Sequence, residues 1–275
     1  MIDTKTIAEH AEHLISTAVI ETDPFPHLLI DGIFPDAFYE EILRNLPPRE
    51  ILSVPVTFGM MKIGDDDQSF RSLPRPSQEF WTIFDRDVKQ PIFAALIRRW
   101  LPYAEEKLTL IFGADAARAA LSELRPDEFT QLRGIVQYRI TGARMSAHVD
   151  KATSLFTYLF YFASDDSLRP FGTIFYKAHD FAKVIEGYRA NKSIRAWFPP
   201  EGSLDLSPHA PLEFRRNRLV SYANLPYALH GAATDAVAPR YSMQSFCDFP
   251  LRITLQLFEG WKDAVSPTGI YRGDG

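Results

Sequence analysis

Ser154-Leu155-Phe156-Thr157-Tyr158-Leu159-Phe160-Tyr161-Phe162-Ala163 is the stretch that decides the fold. It is aromatic-rich and apolar on both faces when successive side chains alternate as they do in a strand. Such a strand has no solvated face, so it must be central, with a barrel interior on one side and helices on the other. Working outward, the chain from Gly134 takes a period of two. Val136, Tyr138 and Ile140 alternate with Ile135, Gln137 and Arg139. Thr173–Lys177, Arg218–Tyr222 and Arg240–Asp248 read as further strands. Strands without regular helices between them predict an antiparallel jelly roll rather than a βαβ sheet.

Residues 1–130 read mainly as helices around a few extended pieces. Phe34, Phe38, Ile42 and Leu46 recur every four residues, a stripe that buries one face of a helix, and Pro47-Pro48 stops it. Phe80, Phe84 and Val88 repeat the pattern after Pro76-Ser77, and Pro102 and Ser122 fall near further helix boundaries. Residues 51–75, with Gly59, Gly64 and Asp65-Asp66-Asp67, read as a long exposed loop; an aspartate run suits a hard cation but more simply a solvated turn. A polar insertion, 178–210, interrupts the strands. These two segments are the candidates for a lid. The expected class is α+β with a mainly β core, as a single domain over 1–275. It comprises a helical support region (1–130), a jelly-roll catalytic core (131–252) and a C-terminal extension (253–275).

A chain of 275 residues with 46 % hydrophobic content can build a substantial core. The formal net charge of −5 gives no support for nucleic-acid binding, and Arg215, Arg216 and Arg218 read as a solvated strand edge or loop. The one cysteine, Cys247, excludes an internal disulfide framework, suits a reducing compartment and reads as a packed strand residue. No signal-peptide pattern opens the chain and no run of about 18 apolar residues occurs, so no membrane partner and a cytoplasmic location are expected.

Candidate chemistry centres on His148 and Asp150. At positions i and i+2 of a strand their side chains share one face, although a surface dyad at a strand end would look the same in isolation. His230 follows the strand-like Leu219-Val220-Ser221-Tyr222-Ala223, and two histidines with one carboxylate hold ferrous iron by one face, leaving other positions open. Arg240, Ser242 and Gln244 share a face of the last strand, and such a polar row faces either solvent or a polar cavity. His10, His13, His27, His179 and His209 read as surface or hydrogen-bonded histidines. Trp81, Trp100 and Trp197 read as core or rim aromatics, with Trp197 beside Phe198-Pro199-Pro200 placed to touch a substrate.

In order and spacing, His148-Val149-Asp150, His230 and Arg240-Tyr241-Ser242 resemble the motif of the iron(II)/2-oxoglutarate-dependent dioxygenases. Tyr138 and Gly142 ahead of the first histidine, and Phe171-Gly172-Thr173-Ile174-Phe175, fit as well. The resemblance covers about residues 131–250. It implies a double-stranded β-helix, Fe(II) held by His148, Asp150 and His230, and 2-oxoglutarate and O₂ as co-substrates. It also implies that Arg240 pairs with the distal carboxylate of 2-oxoglutarate, with Ser242 and Tyr138 as neighbours and Thr157 and Gln137 as further lining. The implied reaction is hydroxylation of an unactivated C–H bond with release of succinate and CO₂. The carboxylate of Asp150, where related halogenases carry a small residue, favours hydroxylation over halogenation. The expected substrate is a small molecule: an amino acid, a natural-product intermediate or a carrier-bound unit. A protein side chain, as in prolyl-hydroxylase-like members, is the alternative, and a cupin-like metal-binding isomerase or binding protein is the alternative of another class.

Overall fold

The computed structural model describes residues 3–52, 58–64, 67–122, 124–131, 134–139, 144–209, 212–233 and 240–261. Ile140, Gly142, Asp65 and Asp66 lie outside them, as does the C-terminal stretch 262–275. In chain order, the first part comprises α1 (Thr4–Thr17), β1 (His27–Asp31), α2 (Asp36–Arg44), β2 (Phe58–Lys62), α3 (Gln68–Arg71), α4 (Arg75–Ile83), α5 (Gln90–Trp100), α6 (Tyr103–Phe112) and α7 (Ala114–Leu121). The strand-rich part follows: β3 (Thr130–Gln131), β4 (Ile135–Arg139), β5 (Arg144–His148), β6 (Ser154–Tyr161), β7 (Thr173–Ala178), α8 (Phe181–Asn191), β8 (Leu206–Pro208), β9 (Arg218–Ala223), β10 (His230–Ala233), β11 (Arg240–Asp248) and α9 (Leu251–Leu257).

The strands form two antiparallel sheets. The larger runs β1-β9-β6-β11-β4-β2, with β3 also on β11, and the smaller runs β5-β10-β7-β8. β6 sits mid-sheet with all eight residues buried. Its even-numbered side chains meet the helical part, Phe156 against Phe93 at 6.0 Å and Phe160 against Phe84 at 6.2 Å and against Phe34, just ahead of α2, at 5.1 Å between ring centroids. Leu159 and Tyr161 turn the other way, into a cavity between the sheets. The two-faced apolar pattern of this stretch is thus satisfied from both sides.

The helical stripes form over their central residues, with Phe34 and Leu46 falling just outside α2. Phe38 and Ile42 are buried on α2, and α4 runs through a π-helical turn (Phe84–Lys89) into α5. Pro91, in the first turn of α5, has no N–H to return to the preceding turn, so the helix widens where that bond is lost. Trp81 and Trp100 are core residues. Cys247 is packed in β11, where burial pushes its thiol pKa up. Among the described residues no helix is long and apolar enough to cross a membrane.

Three expectations need correction. The stretch 51–75 contains β2, which pairs along β4 from Phe58↔Arg139 to Lys62↔Ile135 because the exposed edge of β4 offers unpaired backbone groups. Asp67 is the N-cap of α3, its carboxylate accepting from the N–H groups of Ser69 (2.8 Å) and Phe70 (3.2 Å). The insertion 178–210 likewise holds α8, docked through Val184, Ile185 and Tyr188, and β8, which extends the smaller sheet. The arginine cluster is a set of ties rather than a solvated edge. Arg218 is buried and grips Asp31 with two hydrogen bonds (2.5 and 2.8 Å), Arg215 pairs with Glu213 and Asp31, and Arg216 pairs with Glu40 over the ring of Tyr39.

Candidate metal centre

His148 ends β5 and His230 begins β10, and the two pair directly across the smaller sheet. Close approach of these strands depends on Gly231, where an added Cβ would lie 2.5 Å from the carbonyl oxygen of Met145. Asp150 follows one residue after Val149, whose backbone exchanges two hydrogen bonds with Trp197 (3.0 and 2.8 Å). The segment between the first two candidate ligands is therefore pinned to the insertion. Their positions are fixed by backbone pairing, not by the side chains alone.

All three side chains are buried, and one ligand atom from each lies within 4.8 Å of the others. His148 Nε2 is 3.6 Å from Asp150 Oδ1, and His230 Nε2 is 3.5 Å from Asp150 Oδ2. Each imidazole places Nδ1 on a carbonyl two residues upstream, His148 on Ser146 (3.0 Å) and His230 on Ala228 (3.1 Å). A carbonyl can only accept, so Nδ1 carries a proton in both rings, and Nε2 is the nitrogen each turns toward Asp150. Burial, reinforced by neighbouring His148, pushes the His230 pKa down to about 4, so the ring is neutral at neutral pH. Burial on its own would raise the Asp150 carboxyl, but the two histidines and the Thr157 hydroxyl together hold it well below the usual carboxylate range. The result is one buried carboxylate and two imidazole nitrogens converging on a point, a donor set that fits a divalent cation with affinity for imidazole and carboxylate.

The cavity in front of these residues has a volume of about 290 Å³ and is lined from both sheets. Arg240, Ser242 and Gln244 of β11 line it, as the period of two requires, and Gln137 and Arg139 of β4 lie beside them. Arg240 is almost fully buried over the ring of Phe214 (5.4 Å), and its Nη1 has no hydrogen-bond partner among the described residues. Burial first, and Arg139 beside it, pull its pKa down to about 9, which leaves it charged at neutral pH. Tyr161 stands near it, its hydroxyl accepting from the Thr173 N–H (3.0 Å) and bonded to the Thr173 hydroxyl (2.7 Å). Gly172, just before, lets the chain pass Leu212, whose carbonyl oxygen would be 1.5 Å from an added Cβ.

Tyr138 is not part of this lining. It alternates with Gln137 and Arg139 and so faces away from the cavity, where its ring meets Tyr241 at 4.9 Å; the co-substrate role expected of it is corrected accordingly. Trp197 also turns away, edge-on to Tyr188 at 5.6 Å. Its neighbour Phe198 is the aromatic at the centre, stacked on His148 at 4.7 Å. Thr157 reaches Asp150 rather than the arginine end, donating to Oδ2 at 2.6 Å. Sequence reasoning missed Tyr222, whose hydroxyl lies 3.0 Å from Asp150 Oδ2 and 2.8 Å from His230 Nε2. Its place in a strand already read as such, on the same face as Val220, was the only available signal.

No family model matches the chain, and no curated protein matches it. Many of the solved structures similar to it are 2OG-Fe(II) oxygenases, prolyl hydroxylases among them. An oxidoreductase of the 2OG-Fe(II) oxygenase family from Burkholderia pseudomallei is 12 % identical over 88 % of this chain and 89 % of that one, with a TM-score of 0.43. A prolyl 4-hydroxylase from Phytophthora capsici is 12 % identical over 90 % of this chain and 66 % of that one, with a TM-score of 0.47. A non-heme alpha ketoglutarate dependent carbocyclase from nogalamycin biosynthesis is 10 % identical over 88 % of this chain and 85 % of that one, with a TM-score of 0.45. Likenesses this distant leave the assignment to the site itself.

Proposed function

We propose that this protein is an iron(II)- and 2-oxoglutarate-dependent dioxygenase that hydroxylates an unactivated C–H bond of a small molecule. One observation carries the reading: a single cavity holds three converging acceptors at one end and a buried arginine with an unpaired N–H at the other. A cation at the first end, together with a dicarboxylic keto acid reaching Arg240, would complete both ends at once. The strand order supports the same assignment. β4, β6, β9 and β11 fall in one sheet and β5, β7, β8 and β10 in the other, the alternation of a double-stranded β-helix. A core that draws on residues from Ile7 to Phe258 supports treating 1–275 as one domain.

His148, Asp150 and His230 would hold the metal, and Arg240 would grip the distal carboxylate of 2-oxoglutarate, with Ser242 as a hydrogen-bonding neighbour. Bound there, iron and 2-oxoglutarate would supply the activation of O₂, with succinate and CO₂ as the co-products. The protein's own work is placement. Carbonyls of Ser146 and Ala228 fix which nitrogen each histidine presents, Phe198 covers the outer face of His148, and apolar Leu159, Phe214 and Phe246 keep the cavity dry around its polar ends. Enclosure between two sheets supports a small molecule over a polypeptide.

The test is succinate formation from 2-oxoglutarate by anaerobically iron-loaded protein, with and without O₂, beside Arg240→Ala. O₂- and iron-dependent succinate that disappears in the variant is the expected result. Failure of the iron-loaded protein to bind 2-oxoglutarate would overturn the reading in favour of a cupin-like metal protein.

A further inference from the structure

Tyr222 and Thr157 are register partners on neighbouring strands β9 and β6, so their side chains rise side by side from the same face of the larger sheet. Both are completely buried, and both hydroxyls point at the same oxygen, Asp150 Oδ2, at 3.0 and 2.6 Å. A carboxylate oxygen offers two in-plane lone pairs, and two hydroxyl donors occupy both. Oδ1, the oxygen nearer His148 Nε2, is the one left for another partner. The Tyr222 hydroxyl also lies 2.8 Å from His230 Nε2, which bears a lone pair because its Nδ1 proton is committed to Ala228. One phenolic proton therefore faces two acceptors and can serve only one. A cation on His230 Nε2 would remove that competition and leave the proton to Asp150.

We propose that Tyr222 and Thr157 are positioning residues that make Asp150 a one-oxygen metal ligand, holding Oδ2 so that Oδ1 is presented beside His148. The inference rests on the metal-site reading above. Tyr222 is itself rigidly held, its ring between Phe175 (5.6 Å), Phe25 (6.0 Å) and His230 (4.7 Å). With this clamp the carboxylate cannot rotate to chelate through both oxygens, which keeps a further coordination position open for co-substrate or O₂.

The test titrates metal-free protein with Co(II), read by its visible absorption, which reports both affinity and coordination number. Wild type, Tyr222→Phe, Thr157→Val and His148→Ala are compared, with apo melting temperatures as the folding control. Removing a hydrogen-bond partner of a ligand should weaken metal binding about 10- to 100-fold in Tyr222→Phe and in Thr157→Val, with an altered cobalt spectrum as the carboxylate becomes free to chelate. Wild-type affinity and spectrum in both variants, with binding lost in His148→Ala, would overturn the clamp and leave the metal site standing. Equal binding by wild type and His148→Ala would overturn the metal site and the clamp with it. A visible charge-transfer band on Fe(III) loading that vanishes in Tyr222→Phe would show the phenol ligating the metal directly, and would overturn the clamp for Tyr222.

Discussion

At one end of the cavity, acceptor atoms of His148, Asp150 and His230 meet within 4.8 Å with a single phenolic proton shared between two of them. At the other end, the Arg240 guanidinium is buried with one N–H unpaired. The first end offers acceptors suited to a cation and the second a donor suited to an anion. Each is costly in isolation, since a buried unpaired polar group costs about 1–3 kcal/mol and more when charged. Their opposite signs are what the proposed pairing of a metal with a dicarboxylate would satisfy.

The sharpest way to break the comparison is at the acceptor end. His148→Ala and Asp150→Ala should each abolish metal binding and O₂-dependent succinate formation, measured by metal titration and by product analysis. Retained turnover in both would remove the assignment. Added metal should raise the melting temperature of wild type but not of these variants, with a gain of about 2.7 kcal/mol expected at a hundred times Kd.

The arginine end should fail separately. Arg240→Ala removes at least one charge-assisted hydrogen bond worth about 1.5–3 kcal/mol, so 2-oxoglutarate affinity should fall roughly 10-fold to 100-fold or more while Co(II) affinity stays at the wild-type value. Calorimetry of Co(II) with metal-free protein, and of 2-oxoglutarate with Co(II)-loaded protein, distinguishes the two. Loss of both affinities would mean that the ends are not independent.

A subtler difference lies behind the acceptor end. Lys107 of α6 donates to the carbonyls of Ser154 (2.6 Å) and Asn224 (2.5 Å), bracing the chain after Asp150 against the chain before His230. Burial pulls its pKa down to about 7, against partial support from Asp150 and Asp248. Between that value and the unfolded one the unfolded chain binds more protons, so stability from this group rises with pH from about 7 upward. Metal-free wild type should gain at most about 1.4 kcal/mol per pH unit between roughly pH 7.5 and 9.5 relative to Lys107→Met, as read by denaturant melts. Parallel pH profiles would show that the lysine does not titrate in this window. The smallest expected effect is at Tyr138→Phe: with its ring on the far side of β4 against Tyr241, 2-oxoglutarate affinity should not change.

Legibility in the sequence differed by region for physical reasons. Strand periodicity placed Arg240, Ser242 and Gln244 together and put β6 at mid-sheet, because side-chain alternation is a local property of the backbone. The same rule already set Tyr138 opposite Gln137 on β4, yet the family likeness assigned both to one site, and only Gln137 lines the cavity. β2 escaped notice because an edge strand forms when a partner edge is available, a non-local condition that the glycine- and aspartate-rich stretch 51–75 does not advertise. The arginines near β9 looked like a surface cluster because their acidic partners, Asp31 and Glu40, lie some 180 residues away in sequence.

The sequence by itself determined the strand-rich core, the helical stripes and the identity of the histidines, carboxylate and arginine that carry the proposed chemistry. Only the tertiary structure decided which nitrogen each histidine presents, which oxygen of Asp150 is held, and that Tyr222, Thr157, Phe198 and Lys107 surround the site. Periodicity and composition act along the chain, whereas hydrogen-bond direction and burial exist only once distant strands are paired and water is gone.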